Sequence, residues 1–196
     1  MFKPLVLIGR SVHQLEGIDN EAINEAVLKR RNIKLDESEG NTFNEDSFFP
    51  AEKVAECGKL IEEINKVIAE HVNPYFMTAN SWAHILAPGE STMYHSHENK
   101  ALPPGISWVY YTSVPKNSGN IVWVLDAARR KVLQEEQPKP GMLILFPDYI
   151  AHFTKKNNSS SDRVSISGNA YPPKESYEAV AKNPLNLYNY IGVFND

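Results

Sequence analysis

The sequence predicts a mainly β, α+β domain, an antiparallel jelly-roll-like core buttressed by two helices on its amino-terminal side. Eight short β-prone runs follow one another between residues 76 and 169: FMTANSWAHIL, TMYHSH, ISWVYYTSV, NIVWVLD, KVLQEE, GMLILF, AHFTKK and RVSISGN. Turn signals such as APGE, LPPG, KNSGN and PKPG separate them, as in an antiparallel sandwich or barrel. Two upstream stretches carry apolar residues at helical rather than alternating spacing. The 196 residues are 42% apolar and 22% charged, with nine Tyr, eight Phe and three Trp, enough for one substantial core.

Taken in order, MFKPLVLIGR reads as a first strand around Leu5 to Ile8. Its apolar run is too short, and lacks the small-residue cleavage site, for a secretory signal. IDNEAINEAVLKRR has a polar start, apolar Ile23, Ala26 and Val27, and a basic end, the pattern of a helix of about three turns. KLDESEGNTFNEDS is acidic and without periodicity, which predicts a loop able to order over a site entrance. Pro50 opens a longer helix, AEKVAECGKLIEEINKVIAEHV, with apolar positions 54, 57, 61, 64 and 68 on one face. The expected organisation is a single domain over 1–196: helical support and loop (1–74), jelly-roll core (75–172) and a carboxy-terminal extension (173–196). The loop at 36–48 and the extension would shape the entrance or a homodimer contact.

Charge and cysteine usage narrow the function classes. A net charge of −4 gives no general attraction for phosphate backbones. Arg129-Arg130-Lys131 and Lys155-Lys156 read as solvated loops or strand edges, so a nucleic-acid partner is not expected. The single Cys57 excludes an intrachain disulfide framework and suits a reducing cytoplasm. It falls on the apolar face of the second helix and reads as a buried structural residue. No run approaches the roughly 18–20 apolar residues of a membrane helix, so the expected location is cytoplasmic. The overlapping sequons at Asn157 and Asn158 are chance matches in a polar loop.

The chemistry gathers in four places. MYHSHEN puts His95 and His97 one residue apart; on a strand they share a face about 6.6 Å apart and can reach one ion, unless they are merely a polar barrel rim. His152 follows the apolar strand stopped by Pro147 and completes a three-point ligand set. Neutral imidazoles suit Fe, Zn, Cu or Ni, and the absence of paired cysteines argues against a closed structural zinc site. In Arg163-Val164-Ser165-Ile166-Ser167 the arginine and both hydroxyls alternate with apolar residues. They share one face, either as a bidentate clamp for a carboxylate or as an outward salt-bridging surface.

The order H-x-H, SWVYYTSVP, NSGNIVW, PKPGMLILFP with His152 beyond it, then R-x-S resembles the Fe(II)- and 2-oxoglutarate-dependent dioxygenases. More narrowly it is similar to the bacterial and phage oxygenases whose metal motif is written H-x-H. The resemblance spans about residues 80–172. It implies a double-stranded β-helix (jelly roll), Fe(II) as cofactor, and 2-oxoglutarate and dioxygen as co-substrates. The implied reaction couples decarboxylation of 2-oxoglutarate to succinate with hydroxylation of a substrate, a small molecule or a protein side chain. It further implies His95 as first iron ligand, His152 as the distal one, and Arg163, assisted by Ser165, as partner of the far carboxylate of 2-oxoglutarate. Tyr111 matches the tyrosine that bonds the same carboxylate in related prolyl hydroxylases.

His97 stands where most of that superfamily has an aspartate or glutamate. It either binds iron as a neutral third ligand or stands behind a water in the carboxylate's place; Glu98 points to the opposite face of a regular strand. Trp82, Trp108, Trp123 and Tyr94 belong to the cavity wall or to the core. Two other readings remain at this level. Gly89 followed by His95-x-His97 opens a metallocupin motif, although no Glu follows at the cupin spacing and Arg163-x-Ser165 has no cupin role. A non-catalytic β-sandwich binding protein would keep only the scaffold.

Overall fold

The computed structural model describes residues 9–29, 33–36, 40–42, 49, 51–98, 104–127 and 129–173, with the backbone alone for 33–36, 40–42 and 127. Along the chain these form β1 (Ser11–Gln14), α1 (Asn20–Leu28), β2 (Ile33–Asp36), β3 (Gly40–Thr42), α2 (Ala55–His71), β4 (Met77–Leu86) and β5 (Thr92–His95). There follow β6 (Ile106–Ser113), β7 (Ile121–Ala127), β8 (Arg130–Glu136), β9 (Met142–Pro147), β10 (His152–Thr154) and β11 (Arg163–Tyr171). They build two antiparallel sheets, β1-β9-β6-β11-β4-β3-β2 and β5-β10-β7-β8, a jelly roll in which the large sheet carries the helices on its outer face. Among the described residues no helix is long and apolar enough to cross a membrane.

The central strands β6, β9 and β11 of the large sheet are buried on both faces, and this sorts their side chains by parity. Trp108 and Tyr110 of β6, Ala83 and Ile85 of β4, and Val164 and Ile166 of β11 pack toward the helices with Ile23, Val27, Leu60, Ile64 and Ile68. Val109 and Tyr111 face the other way, into a second cluster between the sheets with Ile121, Trp123, Ile144 and Phe146. Each buried aliphatic side chain contributes roughly 1.5–3 kcal/mol. Asp19 caps α1 by accepting the Ala22 N–H at 3.0 Å, and Tyr110 Oη donates to Asn20 Oδ1 at 2.8 Å, tying that helix to β6.

Several expectations need adjustment. The acidic segment predicted as loop contributes two short strands, β2 and β3, whose hairpin extends the large sheet beside β4. Backbone pairing at a sheet edge needs no apolar pattern, so nothing in the composition marks it. A second edge strand, β1, is equally polar and pairs with β9, while the predicted strand at 5–8 lies outside the described residues. So do Pro50, residues 37–39 and 43–48, and 174–196 of the extension. The second helix starts at Ala55, not beside Pro50. Residues 51–53 form a turn that folds back on Gly58, where a Cβ would meet the Ala51 carbonyl oxygen at 2.9 Å. Cys57 is fully buried on the helix face, as expected.

Candidate metal centre

Strand pairing brings the distant histidines together. β10 lies between β5 and β7, and His152 pairs directly with His95 on one side and Trp123 on the other. A reciprocal pair of threonines clamps this short ladder. Thr92 N–H donates to Thr154 Oγ1 at 2.9 Å, and Thr154 N–H to Thr92 Oγ1 at 2.7 Å.

His97 arrives by a different route from the one strand periodicity suggests, because β5 ends at His95. Two residues beyond the strand, its main-chain N–H donates to the Asp148 carbonyl at 2.9 Å, and its ring packs against Trp82, centroids 5.2 Å apart. The ring centroids of the three histidines lie 4.4–5.1 Å from one another. One ligand nitrogen from each falls within 4.8 Å of the others, a spacing that can hold a metal ion. Glu98 is not a member of that set.

The ring orientations are fixed from behind. His95 Nδ1–H donates to the Met93 carbonyl at 2.8 Å and His152 Nδ1–H to the Ile150 carbonyl at 3.0 Å, in each case two residues back. A carbonyl only accepts, so Nδ1 carries the proton and Nε2 keeps its lone pair for a metal. Burial first, and the neighbouring His95 second, lower the pKa of His152 to about 3 and of His97 to about 4. Both are neutral near pH 7, the form that ligates.

Deeper in the same cavity lies the arginine. The cavity is narrow and is lined by His95, His97 and His152 together with Trp82, His84, Tyr111, Arg163, Ser165 and Ser167. The alternation of β11 is therefore realised inward: Arg163, Ser165 and Ser167 face the space between the sheets while Val164 and Ile166 face the helices. Arg163 is 1% exposed. Its Nη1 donates to the Gly119 carbonyl at 3.2 Å, its guanidinium lies 5.1 Å from the Tyr111 ring centroid, and its Nε has no partner. No carboxylate pairs with it among the described residues. Burial pulls its pKa down and pushes that of Tyr111 up, each effect partly offset by the other group.

Register explains why Tyr111 is there. It sits directly across from Ser165 on the β6–β11 ladder, and no partner of good geometry satisfies its Oη. On the other side of Ser165, across β4–β11, stands His84, a residue the sequence reading did not single out. Its pKa is lowered to about 3 by burial, then by the charges of Arg163 and His95, and its Nδ1 has no partner. The alternation of Trp82, His84 and Leu86 with Ala83 and Ile85 is the signal that places it inward. Of the other aromatics, Trp82 lines the cavity, Trp108 packs on the helix side and only borders it, Trp123 is buried in the inter-sheet core and Tyr94 is exposed. Asn157 is fully buried, with Nδ2 donating to the carbonyls of Leu86 and Ser161 at 2.9 Å each. Its sequon therefore serves the loop leading to Arg163.

Residues 80–169, just under half of the chain, match a family model described as "Putative 2OG-Fe(II) oxygenase". No curated protein matches in sequence. Among solved structures, a Pseudomonas putida prolyl-4-hydroxylase is similar at 14% identity and a TM-score of 0.59, over 84% of this chain and 93% of that one. A Trichoplax adhaerens prolyl hydroxylase, solved with a hypoxia inducible factor oxygen degradation domain peptide fragment, is similar at 15% identity and a TM-score of 0.62, over 87% of each chain. HygX from Streptomyces hygroscopicus, with nickel and 2-oxoglutarate bound, is similar at 12% identity and a TM-score of 0.64, over 85% of this chain and 83% of that one. At these identities the likeness is one of fold.

Proposed function

We propose that this chain, whose residues 80–169 match the model of a 2OG-Fe(II) oxygenase family, is a member of the Fe(II)- and 2-oxoglutarate-dependent oxygenases that decarboxylates 2-oxoglutarate oxidatively while hydroxylating a substrate. In this reading His95, His97 and His152 hold Fe(II). Arg163, Ser165 and Tyr111 hold the far carboxylate of 2-oxoglutarate, and residues 1–196 form one oxygenase domain. The observation that carries it is the facing of two complementary sets across one narrow cavity: three histidines at ligand spacing, and a buried guanidinium without a carboxylate partner among the described residues.

The residues fit the groups they would hold. Two of the imidazoles have Nδ1 committed to a carbonyl and Nε2 free, as metal ligation requires. Among the described residues the Arg163 Nε has no partner and the Tyr111 Oη has only the adjacent guanidinium, which can donate to it but not accept its proton, so a ligand carboxylate would satisfy both donors. Fe(II), when bound, supplies the redox chemistry that dioxygen needs. The chain's own residues bind, orient and exclude water. Arg163 and Tyr111 anchor one end of a slender dicarboxylate, Ser165 adds a hydroxyl between them, and His84 offers a neutral ring at the wall beside it. The substrate, a small molecule or a protein side chain, would approach from the side on which His95 and His97 open toward solvent.

Succinate formation tests this reading. With Fe(II), 2-oxoglutarate and air, the protein should release succinate above background, and His152→Ala should abolish it. A wild-type protein no better than that variant would overturn the assignment.

A further inference from the structure

Asp148, in the connection from β9 to β10, is 2% exposed and grips the start of β6 with both main chain and side chain. Its N–H donates to the Gly105 carbonyl at 3.1 Å, and its Oδ2 accepts the Gly105 N–H at 3.0 Å. The pair adds one step to the β6–β9 ladder beyond Ile106 and Pro147. No larger residue fits at Gly105, where a Cβ would come within 2.4 Å of the Tyr171 ring.

From this fixed position the Asp148 carbonyl accepts the His97 N–H at 2.9 Å, at the point where His97 has run past the end of β5. The same turn is closed by Ile150 N–H donating to the Pro147 carbonyl at 3.1 Å, and its Ile150 carbonyl orients the His152 ring. One turn thus holds the main chain of one histidine and the ring of another. Without the carboxylate, a single main-chain bond would be left to hold that turn on Gly105.

We infer that Asp148 is a positioning residue for the metal centre: by locking the turn at 148–151 onto Gly105 it keeps His97 within reach of the ion held by His95 and His152. The inference rests on the reading of His97 as a ligand. It makes the third ligand a property of a tertiary lash, not of the strand that carries the first.

Calorimetric titration with Ni(II), a redox-stable stand-in for Fe(II), tests it on folded proteins checked by thermal unfolding. Asp148→Ser is too short to reach Gly105 and should weaken Ni(II) binding by about tenfold or more, the usual effect of losing an outer partner of a metal site. Asp148→Asn keeps an oxygen for the Gly105 N–H and should stay close to wild type. Adding His97→Ala to Asp148→Ser should cost clearly less than the sum of the two single losses, because the larger part of the Asp148 effect passes through His97. If Asp148→Ser does not fold, Asp148→Glu, which displaces the carboxylate by one methylene, carries the same expectation. Wild-type affinity in the Ser or Glu variant, strong loss in the Asn variant, or additive losses in the double variant would each overturn the inference. If His97→Ala alone binds Ni(II) as wild type does, the ligand assignment of His97 fails instead.

Discussion

Replacing Arg163 by Met separates binding from stability. The guanidinium is 1% exposed, and among the described residues it has no carboxylate partner, only a 3.2 Å hydrogen bond to the Gly119 carbonyl and the neighbouring Tyr111 hydroxyl. A buried charge held so weakly is costly to the empty protein, and replacing such groups with apolar ones of similar volume is often neutral or stabilising by about 1–4 kcal/mol. The ligand-bound state tells the opposite story. Truncating one partner of a buried, hydrogen-bonded charge pair costs about 2–5 kcal/mol, which is roughly 30-fold or more in Kd. In a thermal-shift assay with Ni(II) present, 2-oxoglutarate at about 100 times its Kd should stabilise the wild type by about 2.7 kcal/mol. That corresponds to a Tm rise of about 5–10 °C for a chain of this size. Arg163→Met should start at the wild-type Tm or above it, bind Ni(II) normally and show almost none of that rise. A lower starting Tm, or equal losses of metal and 2-oxoglutarate affinity, would refute the reasoning and make Arg163 a structural residue.

The metal-free protein should lose stability as pH falls from 6.5 toward 3. His84, His97 and His152 titrate in the unfolded chain near 6.5 but are lowered to about 3, 4 and 3 in the fold, so the unfolded state binds more protons throughout that window. Asp148, raised to about 6 by burial, acts in the opposite sense but is one group against three. Urea midpoints at pH 7.5 and 5.5 decide this, and an equal or higher midpoint at 5.5 contradicts it. Gly168→Ala would bring a Cβ to 2.3 Å from Trp108 Cζ2 and 2.4 Å from the Asn80 carbonyl oxygen. Overpacking of about 1–3 kcal/mol should lower Tm by about 2–12 °C, and an unchanged melting curve would show that the sheet gives way freely. Asn157→Ala removes the donors to two carbonyls beside the loop that leads to Arg163. It should cost about 1–3 kcal/mol and weaken 2-oxoglutarate more than Ni(II), as paired calorimetric titrations would show.

What the sequence made legible follows from period-two alternation. Val164 and Ile166 against Arg163, Ser165 and Ser167 announced the strand and put the arginine and both hydroxyls on one face, but whether that face turned inward or outward depended on the layers packed on either side of β11. His95 and His152 were legible as members of one set but not as cross-strand partners, since pairing depends on which strands become neighbours. His97 reached the same point for a reason the sequence does not display. The strand stops short of it, and a main-chain bond to the distant Asp148 replaces the strand geometry. His84 was missed because its role depends on β4 lying beside β11. The hairpin of β2 and β3 was missed because an edge strand can form from backbone pairing alone.

The central claim, that the three histidines and Arg163 form one site for Fe(II) and 2-oxoglutarate, is tested most directly by anaerobic titration followed in the visible spectrum. The account predicts a charge-transfer absorption that needs both Fe(II) and 2-oxoglutarate, saturates at one of each per chain and is lost in Arg163→Met at the same concentrations. A wild-type protein that shows no such band with both components in excess would contradict it.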